Sequence, residues 1–123
     1  MPHTRTHIKR ERAQARGYSQ AVITENGRVI WLAGQVGTEA ADFDGQVREI
    51  FTKLDATLKE AGSKLADMVT MTVFITDPRY GDRFCELRCE IFGDNFPASA
   101  LITVAGLARP EYFVEVQGMA VTG

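Results

Sequence analysis

Two segments of this sequence repeat apolar residues at the spacing of helices, and five others have the β-branched or alternating patterns of strands. The first helix is predicted to begin after an N-cap at Asp44 and to end at Gly62, which suits a left-handed C-cap. The second is predicted from about Tyr80 to Phe92, because apolar residues recur there three and four positions apart. Two helices can cover only one face of a five-stranded sheet, so this ratio predicts a two-layer α+β sandwich.

The Asn26-Gly27 pair predicts how the first two strands are connected. Both residues tolerate the positive φ of a type I′ turn, so a hairpin of residues 21–24 and 28–34 is expected. Further strands are predicted at residues 65–76, 100–104 and 112–121, and residues 1–16 are expected to form an edge strand or a flexible segment. The predicted order is β-β-α-β-α-β-β in a single domain over residues 1–123. Its one mixed sheet has five or six strands, with both helices on one face.

The predicted strands do not supply an all-polar face for the side of the sheet that the helices leave open. Apolar residues occur throughout them, namely Met71, Val73, Ile75, Ile102, Val104, Val114 and Val116. An uncovered face of this composition would leave apolar surface in water. We therefore expect oligomerisation through the open face of the sheet.

Charge and composition exclude several classes of protein. Fourteen basic and sixteen acidic residues give a net charge of −2, which provides no electrostatic footprint for nucleic acid or an anionic membrane. No apolar run approaches the roughly 20 residues of a membrane helix, and residues 1–17 lack the apolar core of a secretory signal. The two cysteines, Cys85 and Cys89, predict neither a disulfide framework nor a metal site. The expected location is therefore the cytoplasm.

The residues that could carry chemistry are polar residues at the ends of predicted strands. Tyr18 precedes the first hairpin strand, Gly34 ends the second, and Ser99 opens the penultimate one. Glu115 is unusual because it lies between two valines inside the last strand. If its face is buried, its pKa should rise, and it could act as a general acid or base toward water; the alternative is an exposed strand face. No histidine lies in the core region, which excludes Ser-His and Cys-His dyads unless the N-terminal His3 or His7 folds back.

These polar residues belong to motifs that resemble those of one known family. The motifs are Tyr18-Ser19-Gln20-Ala21-Val22, Ala33-Gly34-Gln35, residues 72–77, Phe96-Pro97-Ala98 and Val114-Glu115-Val116. In this order they resemble the reactive intermediate deaminase family, also called the YjgF/YER057c/UK114 family and, by an older label, L-PSP endoribonuclease. The resemblance implies a chorismate-mutase-like fold and a homotrimer with clefts between subunits. It also implies hydrolysis of enamines or imines, such as 2-aminoacrylate, to 2-keto acids and ammonia without metal or cofactor.

The resemblance assigns site residues one by one. Tyr18 matches the pocket tyrosine, and Gly34 matches the glycine at the strand end, with Ala33 where serine is common. Glu115 matches the glutamate that positions water. Cys85 falls where an asparagine is frequent in the family.

Ser99 departs from the family's pattern. Pro97-Ala98-Ser99 replaces Pro-Ala-Arg, whose arginine holds the substrate carboxylate in the family. A serine hydroxyl cannot replace the charge of a guanidinium–carboxylate pair. Either the substrate is not a 2-imino acid or another cation serves. The candidates are Arg16, Arg88 and Arg109, and Arg16 is favoured because it directly precedes Gly17-Tyr18.

The first functional hypothesis is therefore a cofactor-independent hydrolytic deaminase that acts on a small enamine or imine in an intersubunit cleft. A second is hydrolysis of a neutral or differently placed substrate, such as an enamine from ring cleavage. A third is a trimer that binds or senses a small ligand without catalysis. Ribonuclease activity fits least, because the chain is acidic and no His or Lys pair suggests RNA cleavage.

Overall fold

The computed structural model describes residues 2–123, within which it has three α-helices and six strands. In chain order they are β1 (Thr4–Ile8), α1 (Glu11–Ala15), β2 (Ala21–Glu25), β3 (Arg28–Val36), α2 (Phe43–Glu60), β4 (Met68–Ile75), α3 (Gly81–Phe92), β5 (Ala98–Thr103) and β6 (Val114–Thr122). Short 3₁₀ turns precede β4 and α3. The α+β class is confirmed.

The strands form two sheets rather than the single sheet that the sequence predicts. Four strands pair in the order β3-β6-β4-β5, and only β4 and β5 are parallel, with α3 in the connection between them. β1 and β2 form a separate antiparallel ribbon. A single bridge between Ser19 and Ala98 joins the segment just before β2 to β5.

The Asn26-Gly27 turn forms, but the hairpin predicted around it does not. The φ angles of 61° at Asn26 and 94° at Gly27 are both positive, as a type I′ turn requires. β2 nevertheless pairs with β1, and β3 pairs with β6. The turn residues reverse the direction of the chain locally. The edges of β2 and β3 that would have paired in a hairpin are instead paired with β1 and β6.

α2 begins slightly earlier than the sequence predicts. Its N-cap is Asp42, whose side chain accepts a hydrogen bond from the Gly45 N–H at 3.0 Å. Asp44, the predicted cap, lies in the first turn and forms an ion pair with Arg83 of α3 at 2.6 Å. At the other end the left-handed Gly62, with φ of 77°, is found as predicted. Asp44 therefore connects the two helices instead of capping one.

α2 and α3 cover one face of the four-stranded sheet. The core between them is made of Val47, Ile50, Phe51, Leu54, Leu58, Phe84 and Leu87 from the helices and Met71, Val73, Ile75, Val114 and Val116 from the strands. Five of the seven apolar strand residues that suggested an apolar open face therefore lie beneath the helices. The open face is apolar because of other residues: Val29 and Trp31 are 49% and 80% exposed, and Ile102 is 42% exposed.

Residues 4–15 form β1 and α1, and the sequence did not predict α1. Arg5 of β1 forms an ion pair with Asp67 at 2.8 Å and donates to the Val121 carbonyl at 3.1 Å. These contacts hold the ribbon against the beginning of β4 and the end of β6.

Glu49 of α2 organises the loop that follows β3. Its carboxylate pairs with Lys53 at 3.0 Å and accepts hydrogen bonds from the backbone N–H groups of Thr38 at 2.8 Å, Glu39 at 3.1 Å and Ala40 at 3.0 Å. Lys53 and these backbone donors lower the pKa of Glu49 from 4.5 to about 2.

We expect Glu49→Gln to lower the thermal stability of the protein at neutral pH, because the neutral amide loses the ion pair and some of the N–H partners. Since the folded pKa is depressed, the contribution of Glu49 is present above pH 4.5 and is lost as the pH falls toward about 2. The difference in Tm between the wild type and Glu49→Gln should therefore narrow between pH 7 and about pH 3. Glu60→Gln, an exposed change on the same helix, is the control. An equal Tm difference at both pH values would contradict this role.

Candidate functional site

The site residues predicted from the sequence form two groups in the structure. Arg16, Tyr18, Cys85 and Ser99 line one cavity of about 200 Å³, together with Arg88 and Leu101. Ala33, Gly34 and Glu115 lie apart from it, where β3 pairs with β6. Ser99 lies on β5, at one edge of the four-stranded sheet, whereas Gly34 lies on β3 at the other edge and Glu115 on the adjacent strand β6. The two groups therefore lie toward opposite edges of the sheet.

The strand register places the two groups on opposite faces as well. Ser99 is paired with Met71, which faces the helices, so Ser99 also projects toward the helical layer. Glu115 is paired with Phe74, whose neighbours Val73 and Ile75 face the helices. Glu115 therefore projects from the open face. Within one chain, Glu115 and Ser99 do not line a common cleft.

Arg88 of α3 is the centre of the first group. Its side chain is 1% exposed, and its Nη1 donates a hydrogen bond to Ser99 Oγ at 2.7 Å. Its Nη2 donates to the Arg16 carbonyl at 3.2 Å and lies 3.9 Å from Cys85 Sγ. The guanidinium of Arg16, the favoured replacement cation, instead binds Asp82 at 3.0 Å. Arg88, and not Arg16, is thus the arginine in contact with Ser99.

The charge of Arg88 has no carboxylate partner among residues 2–123. Its buried Nε also lacks a hydrogen-bond partner within that range. The rings of Phe84 and Tyr18 lie 5.1 and 5.9 Å from the guanidinium carbon. Burial lowers the pKa of Arg88, because desolvation disfavours the charged form. An anion in the cavity would therefore be strongly attracted to this side chain.

The segment around Tyr18 reaches the cavity because Gly17 allows a close approach to α3. Gly17 has φ of 81°, and a Cβ on it would lie 3.0 Å from Cys89 Sγ. Ser19, next along the chain, donates its N–H to the Pro97 carbonyl at 3.0 Å. This bond fixes Tyr18 beside the start of β5. Burial raises the pKa of the Cys89 thiol, which makes it a poor nucleophile at neutral pH.

The second group depends on a β-bulge. The pairing of β3 and β6 is interrupted between Leu32 and Gln35, and Gly34 lies in the interruption. A Cβ built on Gly34 would overlap Oε2 of Glu115. The Glu115 carboxylate thus lies directly against the Gly34 backbone, in space that any other residue would fill. Glu115 itself is half-buried.

Arg88 was one of three candidate cations, and a stronger signal for it was present in the sequence. It is four residues after Phe84 and one after Leu87, both of which are completely buried. It therefore lies on the inward face of α3, where a charged residue needs a partner or a function. The signal that could have identified Arg88 is a charged residue within the apolar repeat of a helix, in a chain that has serine in place of arginine at position 99.

Neither a metal site nor a membrane helix is found among residues 2–123. Among residues 2–123, no group of three or more His, Cys, Asp or Glu side chains is arranged to hold a metal ion. No helix in that range is long and apolar enough to cross a membrane.

Comparison with known proteins supports one family. The family described as Endoribonuclease L-PSP matches residues 9–122 of this chain. A RutC family protein of Aquifex aeolicus is 33% identical over 111 residues, covering 85% of this chain and 87% of that protein. The human 2-iminobutanoate/2-iminopropanoate deaminase is 29% identical over 115 residues, covering 86% and 80%.

A solved structure gives the same result. The Rid family protein YyfB of Yersinia pestis superimposes with a TM-score of 0.84 and 27% identity, over 96% of this chain and 98% of that one. The match over nearly the whole sequence and the shared α+β fold show that this chain belongs to the Endoribonuclease L-PSP family, the reactive intermediate deaminase or YjgF/YER057c/UK114 family.

Proposed function

We propose that the chain is a cofactor-independent hydrolase that deaminates a small enamine or imine in clefts between the subunits of a homotrimer. The observation that carries this proposal is the separation of the two site groups onto opposite faces of one sheet. Residues so separated act together only if a second copy brings its Glu115 to the Arg88 cavity of the first. The human relative, named for the deamination of 2-iminobutanoate and 2-iminopropanoate, supports the class of substrate.

A head-to-tail contact between copies is compatible with this arrangement. It would join the β5 edge of one copy to the open face near β3 of the next, and a threefold rotation would close the ring. The open face carries Trp31, which is 80% exposed, along with the exposed Val29 and Ile102. Burying these side chains between subunits would supply the apolar driving force for assembly.

The proposed reaction needs only water and an acid–base group. Water adds to the carbon of the protonated imine while Glu115 accepts a proton from the water, which gives a neutral carbinolamine and a protonated Glu115. Glu115 then returns this proton to the amine nitrogen. The C–N bond breaks as the hydroxyl proton passes back to Glu115, which releases ammonia and the keto product. An enamine enters the same sequence after protonation at carbon, which gives the same protonated imine. The position of Glu115 against Gly34 supports this role, because the contact fixes the carboxylate without using its charge.

A second candidate function, non-catalytic binding of a small anion, is favoured by the unpaired charge of Arg88. It needs the Arg88 cavity but does not need Glu115. A Glu115 variant therefore separates the two candidates.

We expect light scattering to give about three times the chain mass of 13.6 kDa. Trp31→Glu should dissociate the assembly, because it places a charge in the apolar contact, whereas Trp31→Leu should preserve it. A wild-type protein of one chain mass, or a Trp31→Glu variant that stays trimeric, would contradict the proposed interface.

We expect Glu115→Gln to lower the turnover of 2-iminobutanoate and 2-iminopropanoate by at least about two orders of magnitude, a typical contribution of a general acid–base group. The imines are generated by a threonine or serine dehydratase, and keto-acid formation is followed. The trimer should remain intact, and Glu111→Gln, an exposed change near the beginning of β6, should have no effect. Near wild-type turnover by Glu115→Gln would exclude Glu115 from the mechanism. A wild type that does not accelerate hydrolysis would refute the proposed activity on these substrates.

We also expect Gly34→Ala to reduce turnover strongly, because its Cβ would displace the Glu115 carboxylate. Gly106→Ala is the matched control, since an added Cβ there meets no atom within 4 Å. Equal kcat values for the two variants would show that the contact between Gly34 and Glu115 does not matter for catalysis.

A further inference from the structure

Arg88 is the most buried arginine among residues 2–123, and its side chain makes no ion pair there. Arg5, Arg16, Arg48, Arg79 and Arg83 each have a carboxylate within ion-pair distance, and all of them are more exposed than Arg88. The hydrogen-bond partners of Arg88 are a hydroxyl, a backbone carbonyl and a thiol, which carry no full charge. The most buried guanidinium therefore has no anion beside it, whereas Arg28, which also lacks an ion pair and donates to backbone carbonyls, is exposed to solvent.

Such a group is costly to keep without a ligand. A buried cation without a counter-ion destabilises a fold as a general rule, so its presence beside an open cavity points to an anion that binds there. The cavity volume of about 200 Å³ lies below the roughly 300–1,000 Å³ of pockets for drug-sized ligands. A small carboxylate fits this size, and Ser99 Oγ supplies a second polar group at the same wall.

We propose that Arg88 binds the carboxylate of a small 2-imino acid, and that Ser99 positions the guanidinium for this contact. The positive charge that the family resemblance places on β5 would then come from α3. Any longer side chain at position 99 would start in the direction of Ser99 Oγ, which lies 2.7 Å from Arg88 Nη1. Side chains at positions 88 and 99 therefore compete for the same space in the cavity, which has room for one guanidinium group. The identity of the substrate rests on the proposed function, whereas the binding of a carboxylate does not.

The first test is binding without catalysis. Calorimetric titration with pyruvate or 2-oxobutanoate, the keto acids that deamination would release, should show binding to the wild type and weaker binding of the neutral pyruvamide. Arg88→Met, which keeps the length of the side chain, should weaken pyruvate binding about 10- to 100-fold, the range expected for a charge-assisted pair. Arg12→Met, at an exposed arginine that does not line this cavity, is the control. Unchanged affinity in Arg88→Met would overturn the proposal.

The second test moves the cation. Ser99→Arg alone should weaken binding, because two guanidinium groups would compete for one space. The double variant Arg88→Ser with Ser99→Arg should recover pyruvate binding that Arg88→Ser lacks, since it returns one guanidinium to the cavity. A purely structural role of Arg88 predicts no such recovery, and its absence in a folded double variant would count against the proposal. Thermal unfolding of each variant identifies those that fold.

The third test separates this inference from the proposed function. If the protein is a deaminase, Arg88→Met should mainly raise KM, and Glu115→Gln should mainly lower kcat. In trimers reassembled from an equal mixture of the two variants, about a quarter of the clefts would combine an intact Glu115 with an intact Arg88 from the neighbouring copy. About a quarter of wild-type activity should then return. Pyruvate binding through Arg88 without deamination would refute only the activity. Deamination with a KM that does not depend on Arg88 would refute only the carboxylate site.

Discussion

The parallel pairing of β4 and β5 determines where the other parts of the molecule can lie. Parallel neighbours need a crossover connection, and α3 provides it. α3 packs beside α2 on one face of the sheet, so neither helix covers the opposite face. The same crossover puts Arg88 above Ser99, near the start of β5. The helical crossover between β4 and β5 therefore accounts both for the buried position of Arg88 and for the uncovered apolar face of the sheet.

Much of the fold could be predicted because its signals are local. The apolar face of α2, the left-handed Gly62 and the positive φ at Asn26-Gly27 depend on neighbouring residues only, and all three are found. The single sheet was wrong because the partners of β2 and β3 are β1 and β6, which lie elsewhere along the chain. The predicted N-cap of α2, Asp44, was wrong because Asp42 has the same capping side chain and takes that position. Asp44 is instead engaged in the tertiary ion pair with Arg83.

The candidate site shows the same division between local and long-range information. Motifs alone named Tyr18, Gly34, Ser99 and Glu115, and strand alternation correctly separated Glu115 from the valines that flank it. Motifs could not reveal that Ser99 and Glu115 point to opposite faces, because a residue's face depends on register across three strands. The motifs also favoured Arg16, because it is close to Tyr18 in sequence. The arginine that contacts Ser99 is Arg88, which is brought there by the packing of α3 on the sheet.

A binding site constrains the position of a charge, but it does not constrain which backbone carries that charge. In this chain the guanidinium enters the cavity from the helical layer, and Ser99 is small enough to leave room for it while accepting its Nη1 hydrogen bond. The Arg16 carbonyl accepts a hydrogen bond from Arg88 Nη2, so the segment leading to Tyr18 also helps to orient the guanidinium of Arg88. The serine at position 99 is therefore consistent with a carboxylate site, because Arg88 and Ser99 fit together as one unit. Under the proposed function the general base of this unit would be the Glu115 of another copy, since the sheet separates Arg88 from Glu115 within a chain.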